Sequence, residues 1–235
     1  MCGRVALYSP PSRLARFLEA QLGAGVDPTS PPHWNVGPQR SLFAVTGSAP
    51  RVLDRYRWGL VPGWAREASV GPRLFNARGE TVATKPSFRS AFARRPCAIP
   101  VDGFYEWDHR PGAGRAPHYF SRADGDPLVL AGLYEHWRDP ADDAAPVLAT
   151  CTVITTTPSA DLEGIHDRMP VVLDPEDVTQ WLDPADYGPD ERALLLVPAP
   201  RGTLVHHPVS AAVGDVRHDG PELIEPVEQR RLFSP

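Results

Sequence analysis

The sequence contains little cysteine, almost no lysine and no long apolar run. It has 3 cysteines, and Lys85 is the only lysine among its 24 lysine and arginine residues. No segment approaches the ~20 consecutive apolar residues of a transmembrane helix. The N-terminus lacks the basic stretch and apolar core of a signal peptide. An odd number of cysteines without a signal argues for a reducing compartment and against a disulfide framework. We therefore expect a cytoplasmic protein without a membrane-spanning segment.

Motifs for common cofactors and metals are also absent. The sequence has neither a Walker loop nor a GxGxxG turn after a predicted strand, which argues against the usual nucleotide-binding sites. It has no CxxC or HExxH spacing, so a zinc site built from the cysteines is not expected. Cys97 and Cys151 fall in apolar segments and are predicted to pack in the core. We expect neither a metal nor a cofactor.

The net charge of −5 hides an uneven distribution. Acidic residues collect in segments 139–143, 174–191 and 219–228, whereas segment 73–95 has Glu80 as its only acidic residue. We call the basic residues of that segment the arginine stripe: Arg73, Arg78, Lys85, Arg89, Arg94 and Arg95. Local positive charge decides contact with phosphate groups more than net charge does. The pattern agrees both with a nucleic-acid surface and with an ordinary solvated face.

Strand patterns outnumber helix patterns and do not alternate with them. Strands are predicted at residues 4–8, 41–46, 52–58, 97–101, 104–107, 118–121, 128–136, 147–156, 169–173 and 203–207, and helices at 11–22, 87–93 and 174–182. Exposed loops are predicted at 28–40, 64–72 and 110–117. We predict a single α+β domain over residues 1–235, predominantly antiparallel and barrel-like with a few flanking helices, and a C-terminal tail at 229–235.

Cys2 directly follows the initiator methionine, and this position is the most informative feature of the chain. Cysteine is small enough for the methionine ahead of it to be removed, which leaves a free α-amine and a thiol on one residue. The α-amine has a pKa near ~8 and the thiol near ~8.5, so neighbouring groups activate either one easily. The pair attacks a carbonyl carbon or closes on an aldehyde to form a five-membered thiazolidine. Chance placement of a cysteine is the alternative.

Three further residues are candidates for catalysis. Asn76, close to Arg78, is suited to orient an amine or a substrate oxygen, and the guanidinium to bind phosphate; an asparagine-initiated turn is the alternative. Glu106 lies in an aromatic strand and shares a face with Phe104, so its pKa should be raised and suit proton transfer. An exposed strand edge is the alternative for Glu106. His166 is the best acid/base candidate among the 8 histidines.

Seven short motifs follow one another along the chain: MCGR at 1–4, WNVGP at 34–38, RWGLVP at 57–62, NAR at 76–78, KPSFR at 85–89, DGFYEW at 102–107 and IHDRMP at 165–170. In order and content they strongly resemble the SRAP family, the SOS-response-associated peptidases, now understood as abasic-site shields. The resemblance covers residues 2–228. It implies a single α+β domain built on antiparallel sheets with a groove for single-stranded DNA, and a reaction in which abasic sites are captured covalently.

The resemblance also implies roles for individual residues. The Cys2 amine would attack C1′ of the opened sugar and the thiol would close a thiazolidine, while Asn76 holds the N-terminal residue and Glu106 shuttles protons. His166 would assist opening of the sugar and, by running the steps backwards, slow reversal of the cross-link. DNA contacts are implied for Arg4, Trp58, Arg78, Lys85, Arg89, Trp107 and Arg168, with the two tryptophans as stacking surfaces. An associated lyase activity and self-reversal are also implied.

The implied partner is single-stranded DNA with abasic sites, including junctions of single- and double-stranded DNA, and the protein is expected to be a nucleoid-associated monomer. An N-terminal-nucleophile cysteine hydrolase, a peptidase or amidase, remains the alternative, because it also needs a free Cys2. The arginine stripe and tryptophans favour the DNA groove. A non-covalent DNA-binding module leaves the position of Cys2 unexplained. The chain departs from the family pattern at Gly79, usually alanine, and at Gly214, usually asparagine.

Overall fold

Fourteen β-strands and five α-helices make up the described part of the computed structural model, residues 2–110 and 114–227. The strands are β1 Val5–Leu7, β2 Gln21–Leu22, β3 His33–Val36, β4 Ser41–Thr46, β5 Val52–Trp58, β6 Asn76–Arg78, β7 Pro96–Val101, β8 Gly103–Trp107, β9 Pro117–Arg122, β10 Leu128–Trp137, β11 Leu148–Thr156, β12 Met169–Pro170, β13 Val172–Leu173 and β14 Leu204–Pro208. The helices are α1 Pro11–Phe17, α2 Gly79–Val82, α3 Arg89–Arg94, α4 Asp177–Leu182 and α5 Pro189–Ala193. Short 3-10 helices cover Ala68–Arg73, Ala211–Gly214 and Pro221–Ile224.

The α+β class predicted from the sequence is confirmed. The predicted tail at 229–235 lies outside the described residues. Within residues 2–110 and 114–227, no helix combines the length and apolar character needed to cross a membrane.

Two sheets organise these strands. The smaller has the strand order β14-β9-β8-β1-β3, and its pairings are antiparallel. The larger follows the order β12-β11-β10-β7-β4-β5-β2, with β13 beside β10 and β6 beside β11. A parallel pairing between β11 and β5 joins the ends of the run β11-β10-β7-β4-β5 into a closed ring. Closure leaves these five strands without a free edge and confirms the barrel-like prediction.

The ring of strands encloses the main hydrophobic core. Every residue of β7 is buried, as expected for an apolar run with neighbours on both faces. Helix α4 packs against β7, and its Trp181 donates an indole N–H to the Cys97 carbonyl at 2.9 Å. Cys97 and Cys151 are fully buried, as predicted. The smaller sheet contributes Phe104 to this core and Tyr105, from its opposite face, to a second cluster.

Helix α1 and segment 28–40 are two of the places where the structure differs from the sequence prediction. Helix α1 ends at Phe17 rather than at residue 22, because Glu19 takes a positive φ of 52° and β2 then pairs with β5. Segment 28–40 was predicted as an exposed loop, but it contains β3, in which Asn35 and Val36 are buried. Both differences arise from pairing with strands distant in sequence, which local periodicity does not report.

Candidate active site

Cys2 lies three positions before the first residue of β1 and is fully buried in the main core. Its backbone carbonyl accepts a hydrogen bond from Asn76 Nδ2 at 2.6 Å. Asn76 begins β6, which pairs in parallel with β11 and sets Asn76 opposite Val153. This pairing brings the amide to a residue 74 positions away in sequence. Asn76 therefore lies in a strand and binds Cys2, and the alternative of an asparagine-initiated turn is wrong.

Glu106 and His166 meet near Cys2. Glu106 lies in β8 and is 2% exposed, so the alternative of an exposed strand edge is wrong. His166 comes from the segment between β11 and β12 and is 8% exposed. Its Nε2 atom lies 3.7 Å from Glu106 Oε2. The Glu106 carboxylate also interacts electrostatically with the Cys2 thiol. The fold thus assembles four sequence-predicted candidates, Cys2, Asn76, Glu106 and His166, into one site.

Burial sets the protonation of these groups. It raises the pKa of the Cys2 thiol, and the Glu106 carboxylate raises that pKa further. Burial raises the pKa of Glu106 to about 7 and lowers the pKa of His166, because the charged forms lose hydration. At neutral pH the thiol is therefore protonated, the imidazole is neutral, and Glu106 is divided between its two forms. A carboxyl group in that condition both donates and accepts protons readily.

The backbone orients the His166 ring. His166 Nδ1 lies 3.0 Å from both the backbone N–H and the backbone carbonyl of Arg168. In the tautomer that accepts from the N–H, the ring hydrogen is on Nε2, the atom nearer Glu106. Asp167 Oδ1 lies 3.2 Å from Nδ1 and supports the ring when it is protonated. The ring of His109 packs on that of His166 with centroids 4.7 Å apart. In that tautomer the site presents an imidazole N–H on the Glu106 side.

Arg4 and Arg168, for which DNA contacts were expected, use their guanidinium groups inside the protein. Arg168 forms a two-pronged ion pair with Glu80, at 2.5 and 2.9 Å, and donates to the Thr155 carbonyl at 2.6 Å. Arg4 donates to Asn35 Oδ1 at 2.7 Å and to a backbone carbonyl at 2.6 Å. In this conformation both side chains brace segments around the site. A phosphate would compete with these acceptors for either guanidinium.

The tryptophans considered for base stacking differ in exposure. Trp58 is fully buried and donates its indole N–H to a backbone carbonyl at 2.8 Å. No face of that ring is open to a base, which contradicts the stacking role expected for it. Trp107 is half-buried and keeps part of its ring accessible. Trp64, which the sequence analysis did not single out, is 64% exposed and lines an open cleft with Arg66 and Arg73. Its place among arginines in a predicted exposed loop was the available signal.

Part of the arginine stripe is exposed and begins next to Asn76. Arg78 ends β6, two positions after Asn76, and is exposed. Lys85 and Arg89 are exposed as well, and the Lys85 ammonium lies 5.7 Å from the centre of the Phe88 ring. Exposed cations that start beside the residue holding Cys2 are suited to contact an anionic polymer. The alternative of a solvated face stays open on geometry alone.

The two departures from the family pattern have small local consequences. A Cβ atom at Gly79 would lie 3.4 Å from the Leu196 Cβ and the Thr155 carbonyl, which is ordinary contact. The Gly214 carbonyl accepts a long hydrogen bond from Arg4 Nη2 at 3.4 Å, a contact that does not depend on its side chain. Across residues 2–110 and 114–227, no group of three or more His, Cys, Asp and Glu side chains is arranged to hold a metal ion.

The chain is similar to known proteins over nearly its whole length. Residues 1–216 match the family described as SOS response associated peptidase (SRAP). The chain is 37% identical to the abasic site processing protein YoqW of Bacillus subtilis (strain 168), over 96% of this chain and 99% of the relative. It is 33% identical to the abasic site processing protein HMCES of Gallus gallus, over 97% of this chain and 78% of that protein. It is 31% identical to the abasic site processing protein YedK of Escherichia coli (strain K12), over 97% and 100% of the two chains.

Solved structures share the fold. A protein from Bacteroides thetaiotaomicron has a TM-score of 0.85 with this chain at 24% identity, over 97% of this chain and 100% of that one. A protein from Bordetella bronchiseptica has a TM-score of 0.74 at 26% identity, over 89% and 100% of the two chains.

Proposed function

The chain belongs to the SOS response associated peptidase family, and we propose that it captures abasic sites in single-stranded DNA covalently through Cys2. Its relatives in Bacillus subtilis, Escherichia coli and Gallus gallus are named abasic site processing proteins, which supports an abasic site as the substrate. The product is a thiazolidine that joins Cys2 to C1′ of the sugar and protects the damaged strand.

The hydrogen bond from Asn76 to the Cys2 carbonyl carries this proposal. It anchors the carbonyl of the N-terminal residue, so the α-amine and thiol extend from a fixed Cα near Glu106 and His166. Holding amine, thiol and aldehyde together lowers the activation barrier, by about 7 kcal/mol in favourable intramolecular reactions. An internal cysteine in the same place has no free amine and cannot close a thiazolidine.

The first stage joins the amine to the sugar. Met1 is removed, and Cys2 presents a neutral α-amine. The Glu106 carboxylate takes the proton of the C1′ hydroxyl and passes a proton to the ring oxygen O4′, which accepts a hydrogen bond from His166, and the sugar opens to an aldehyde. The amine nitrogen then bonds to C1′, and proton transfer through Glu106 lets the former carbonyl oxygen leave as one water. An imine between Cys2 and C1′ remains.

The second stage traps the imine. The Cys2 sulfur bonds to C1′, and the thiol proton passes through Glu106 to the imine nitrogen. The product equals protein plus DNA minus one water. An imine withdraws electrons and makes the neighbouring C2′ proton acidic, so the strand is prone to β-elimination. The thiazolidine removes this electron sink, and the strand stays intact.

The raised pKa of the Cys2 thiol favours this order of steps over a hydrolase. A cysteine hydrolase attacks first with sulfur and therefore needs a thiolate. Here burial and the Glu106 carboxylate both keep the thiol protonated, whereas the amine step needs no thiolate. The accompanying lyase activity follows from the same chemistry, because strand cleavage competes with closure whenever the imine persists.

The exposed part of the arginine stripe supports a path for the DNA backbone. Arg78, Lys85 and Arg89 are exposed, and Arg78 lies in β6 with Asn76. The accessible rings of Trp107 and Trp64 offer stacking surfaces for unpaired bases, which suits single-stranded DNA. We expect the protein to act as a monomer on the nucleoid in the cytoplasm, including at junctions with double-stranded DNA.

A blocked N-terminus tests the proposal. One protein begins at Cys2, and its control carries one glycine ahead of Cys2. Both are mixed with a single-stranded oligonucleotide containing one abasic site, and products are separated on a denaturing gel. The free protein is expected to form a heat-stable adduct, and the extended protein none, with equal affinity for the intact oligonucleotide. Equal adduct formation by both proteins contradicts the mechanism.

A further inference from the structure

The three residues that follow β8 lie beside His166. We call Asp108, His109 and Arg110 the 108–110 loop. The backbone N–H of His109 donates to the carbonyl of Ile165, the residue directly before His166, at 3.0 Å. The ring of His109 packs against the ring of His166, with centroids 4.7 Å apart and planes inclined by 57°. The loop therefore contacts His166 through its side chain and also fixes the backbone next to it.

A buried carboxylate holds the 108–110 loop in place. Asp108 is 1% exposed, and its backbone N–H donates to the Ala116 carbonyl at 2.9 Å. Its carboxylate accepts hydrogen bonds from the Arg110 backbone N–H at 2.9 Å and from Arg110 Nε at 2.9 and 3.0 Å. Hydrogen bonds between charged groups are about twice as strong as neutral ones. Since the residues on both sides of His109 are anchored, the position of its ring is restricted.

The His166 ring needs packing to stay in one orientation. The torsion angle that turns a histidine ring has broad preferences, and the ring must keep Nε2 near Glu106, 3.7 Å from Oε2. Asp167 Oδ1 lies 3.2 Å from Nδ1, but the Asp167 side chain is 87% exposed and offers little packing. The ring of His109 supplies an aromatic surface in direct contact with His166.

His109 also affects the hydration of His166. His109 is exposed and His166 is 8% exposed, so the outer ring covers part of the inner one. Burial lowers the pKa of His166, and the N-terminal amine and His109 lower it further, whereas the Arg168 backbone and Asp167 raise it. Glu106 is a further titratable group that faces the ring. Removal of the His109 ring would hydrate His166 and favour its charged form.

We propose that His109 is a positioning residue whose ring covers His166 and keeps that imidazole neutral and oriented towards Glu106. The proposal rests on the proposed function, in which His166 donates a hydrogen bond to O4′ while Glu106 moves protons. His109 acts through His166 and does not touch the sugar. Another aromatic ring at position 109 should therefore replace the imidazole, whereas a small side chain should not. A second acid or base at this position would show the opposite behaviour.

Two variants of the whole chain test the proposal. His109→Ala removes the ring and His109→Phe keeps an aromatic ring, and both retain the backbone N–H that binds Ile165. His136→Ala is the matched control, because this exposed histidine on β10 stacks on Tyr56 with centroids 5.8 Å apart, outside the site. The first measurement is an NMR titration of the His166 ring without DNA, with its signal assigned by its absence from His166→Gln. The second is the single-turnover rate of cross-linking at saturating DNA.

We expect the pKa of His166 to rise in His109→Ala and to stay close to that of the unmodified chain in His109→Phe and in the control. Near neutral pH, His109→Ala should cross-link about 10-fold more slowly than the unmodified chain, with unchanged DNA affinity. His109→Phe and His136→Ala should react at the rate of the unmodified chain.

Two results overturn the proposal. One is a His109→Ala protein with the His166 titration and the rate of the unmodified chain. The other is a His109→Phe protein as slow as His109→Ala, because the imidazole itself would then be required. If the unmodified chain forms no cross-link, the proposed function fails. The titration, which needs no DNA, then decides by itself whether the His109 ring keeps His166 neutral.

Discussion

The Nε2 atom of His166 lies 3.7 Å from Oε2 of Glu106, although the two residues come from β8 and from the segment before β12. Burial raises the pKa of the carboxyl group to about 7 and lowers the pKa of the imidazole. Near neutral pH a proton therefore transfers to or from the Glu106 carboxyl group at little free-energy cost. This relationship is the basis on which we propose Glu106 and His166 as the acid/base pair of the site.

Replacement of Glu106 by glutamine should change the pH dependence of stability. The folded-state pKa of about 7 lies above the ordinary value of 4.5, so the folded state binds the Glu106 proton more tightly than the unfolded chain does. Its contribution to stability is fully present below about pH 4.5 and is lost as the pH rises through about 7. Residue 106 does not titrate in Glu106→Gln. As the pH rises between these limits, the free energy of unfolding of the variant should therefore increase by up to ~3 kcal/mol relative to that of the unmodified chain.

Urea unfolding at pH 5 and pH 8 measures this difference. Glu163→Gln, at an exposed glutamate, is the control and should show the same difference at both pH values. A Glu106→Gln protein whose stability relative to the unmodified chain does not depend on pH contradicts the burial of an ionisable carboxyl group.

Replacement of Cys2 by serine should convert capture into cleavage. The α-amine remains and still forms an imine with the abasic site, but a hydroxyl closes on the imine far less readily than a thiol. The persistent imine then undergoes β-elimination. We expect loss of the heat-stable adduct, a cross-link trapped by borohydride, and an increase in strand breaks on a sequencing gel. If the serine variant forms neither an imine nor strand breaks, the reaction begins at the thiol and not at the amine. That result would contradict the proposed order of steps.

Replacement of Asn76 should slow cross-linking by an amount set by the free energy of its hydrogen bond to the Cys2 carbonyl. One neutral hydrogen bond contributes about 1 kcal/mol, so Asn76→Ala should react roughly 5-fold more slowly. Asn76→Asp should react more slowly still, because a carboxylate cannot donate to the Cys2 carbonyl and repels its oxygen. Gln180→Ala, which removes an amide on α4, is the control. An aspartate variant as fast as the unmodified chain contradicts the anchoring role.

Removal of the Arg78 charge should weaken DNA binding in a salt-dependent way. Each phosphate contact to a single strand contributes about 0.7 to the slope of log affinity against log salt concentration, and Arg78→Ala should reduce the slope by that amount. Fluorescence anisotropy with an intact oligonucleotide at several salt concentrations measures it. Arg16→Ala, at an exposed arginine on α1 outside the arginine stripe, should leave the slope unchanged. Equal slopes for all three proteins would show that the stripe is only a solvated face.

Arg168→Lys should lower stability more than it lowers DNA affinity. The guanidinium holds Glu80 with two parallel bonds and also binds the Thr155 carbonyl, and an ammonium group cannot reproduce that geometry. We expect a decrease of about 1–2 kcal/mol in the free energy of unfolding, measured by urea unfolding. An unchanged free energy of unfolding together with a weakened DNA affinity would contradict this and would support the DNA contact expected for Arg168.

The sequence reveals the candidate site better than it reveals the contacts that assemble it. Glu106 shares its strand face with Phe104, and this alternation alone predicts burial and a raised pKa. The sequence alone leaves the role of Asn76 open, because β6 forms only through parallel pairing with β11. The hydrogen-bond partner of Asn76, the Cys2 carbonyl, also lies 74 positions away in sequence. Such long-range pairing leaves no local signal in three residues.

The local sequence pattern also does not predict the exposure of individual side chains. Trp58 and Trp64 both stand in aromatic, arginine-containing segments, yet the first is fully buried and the second is 64% exposed. The ion pair between Arg168 and Glu80 joins residues 88 positions apart, so a guanidinium that suggested phosphate binding has an internal partner. Charge and residue type indicate what a side chain can do, and the fold decides which partner it meets.

Intact-mass spectrometry of the untagged protein tests the central claim most directly. The protein is measured alone and after mixing with a single-stranded oligonucleotide that carries one abasic site. The account predicts a chain without Met1, and then a heat-stable adduct with the mass of protein plus DNA minus one water. A chain that begins at Cys2 but forms no adduct contradicts covalent capture and points to the cysteine hydrolase.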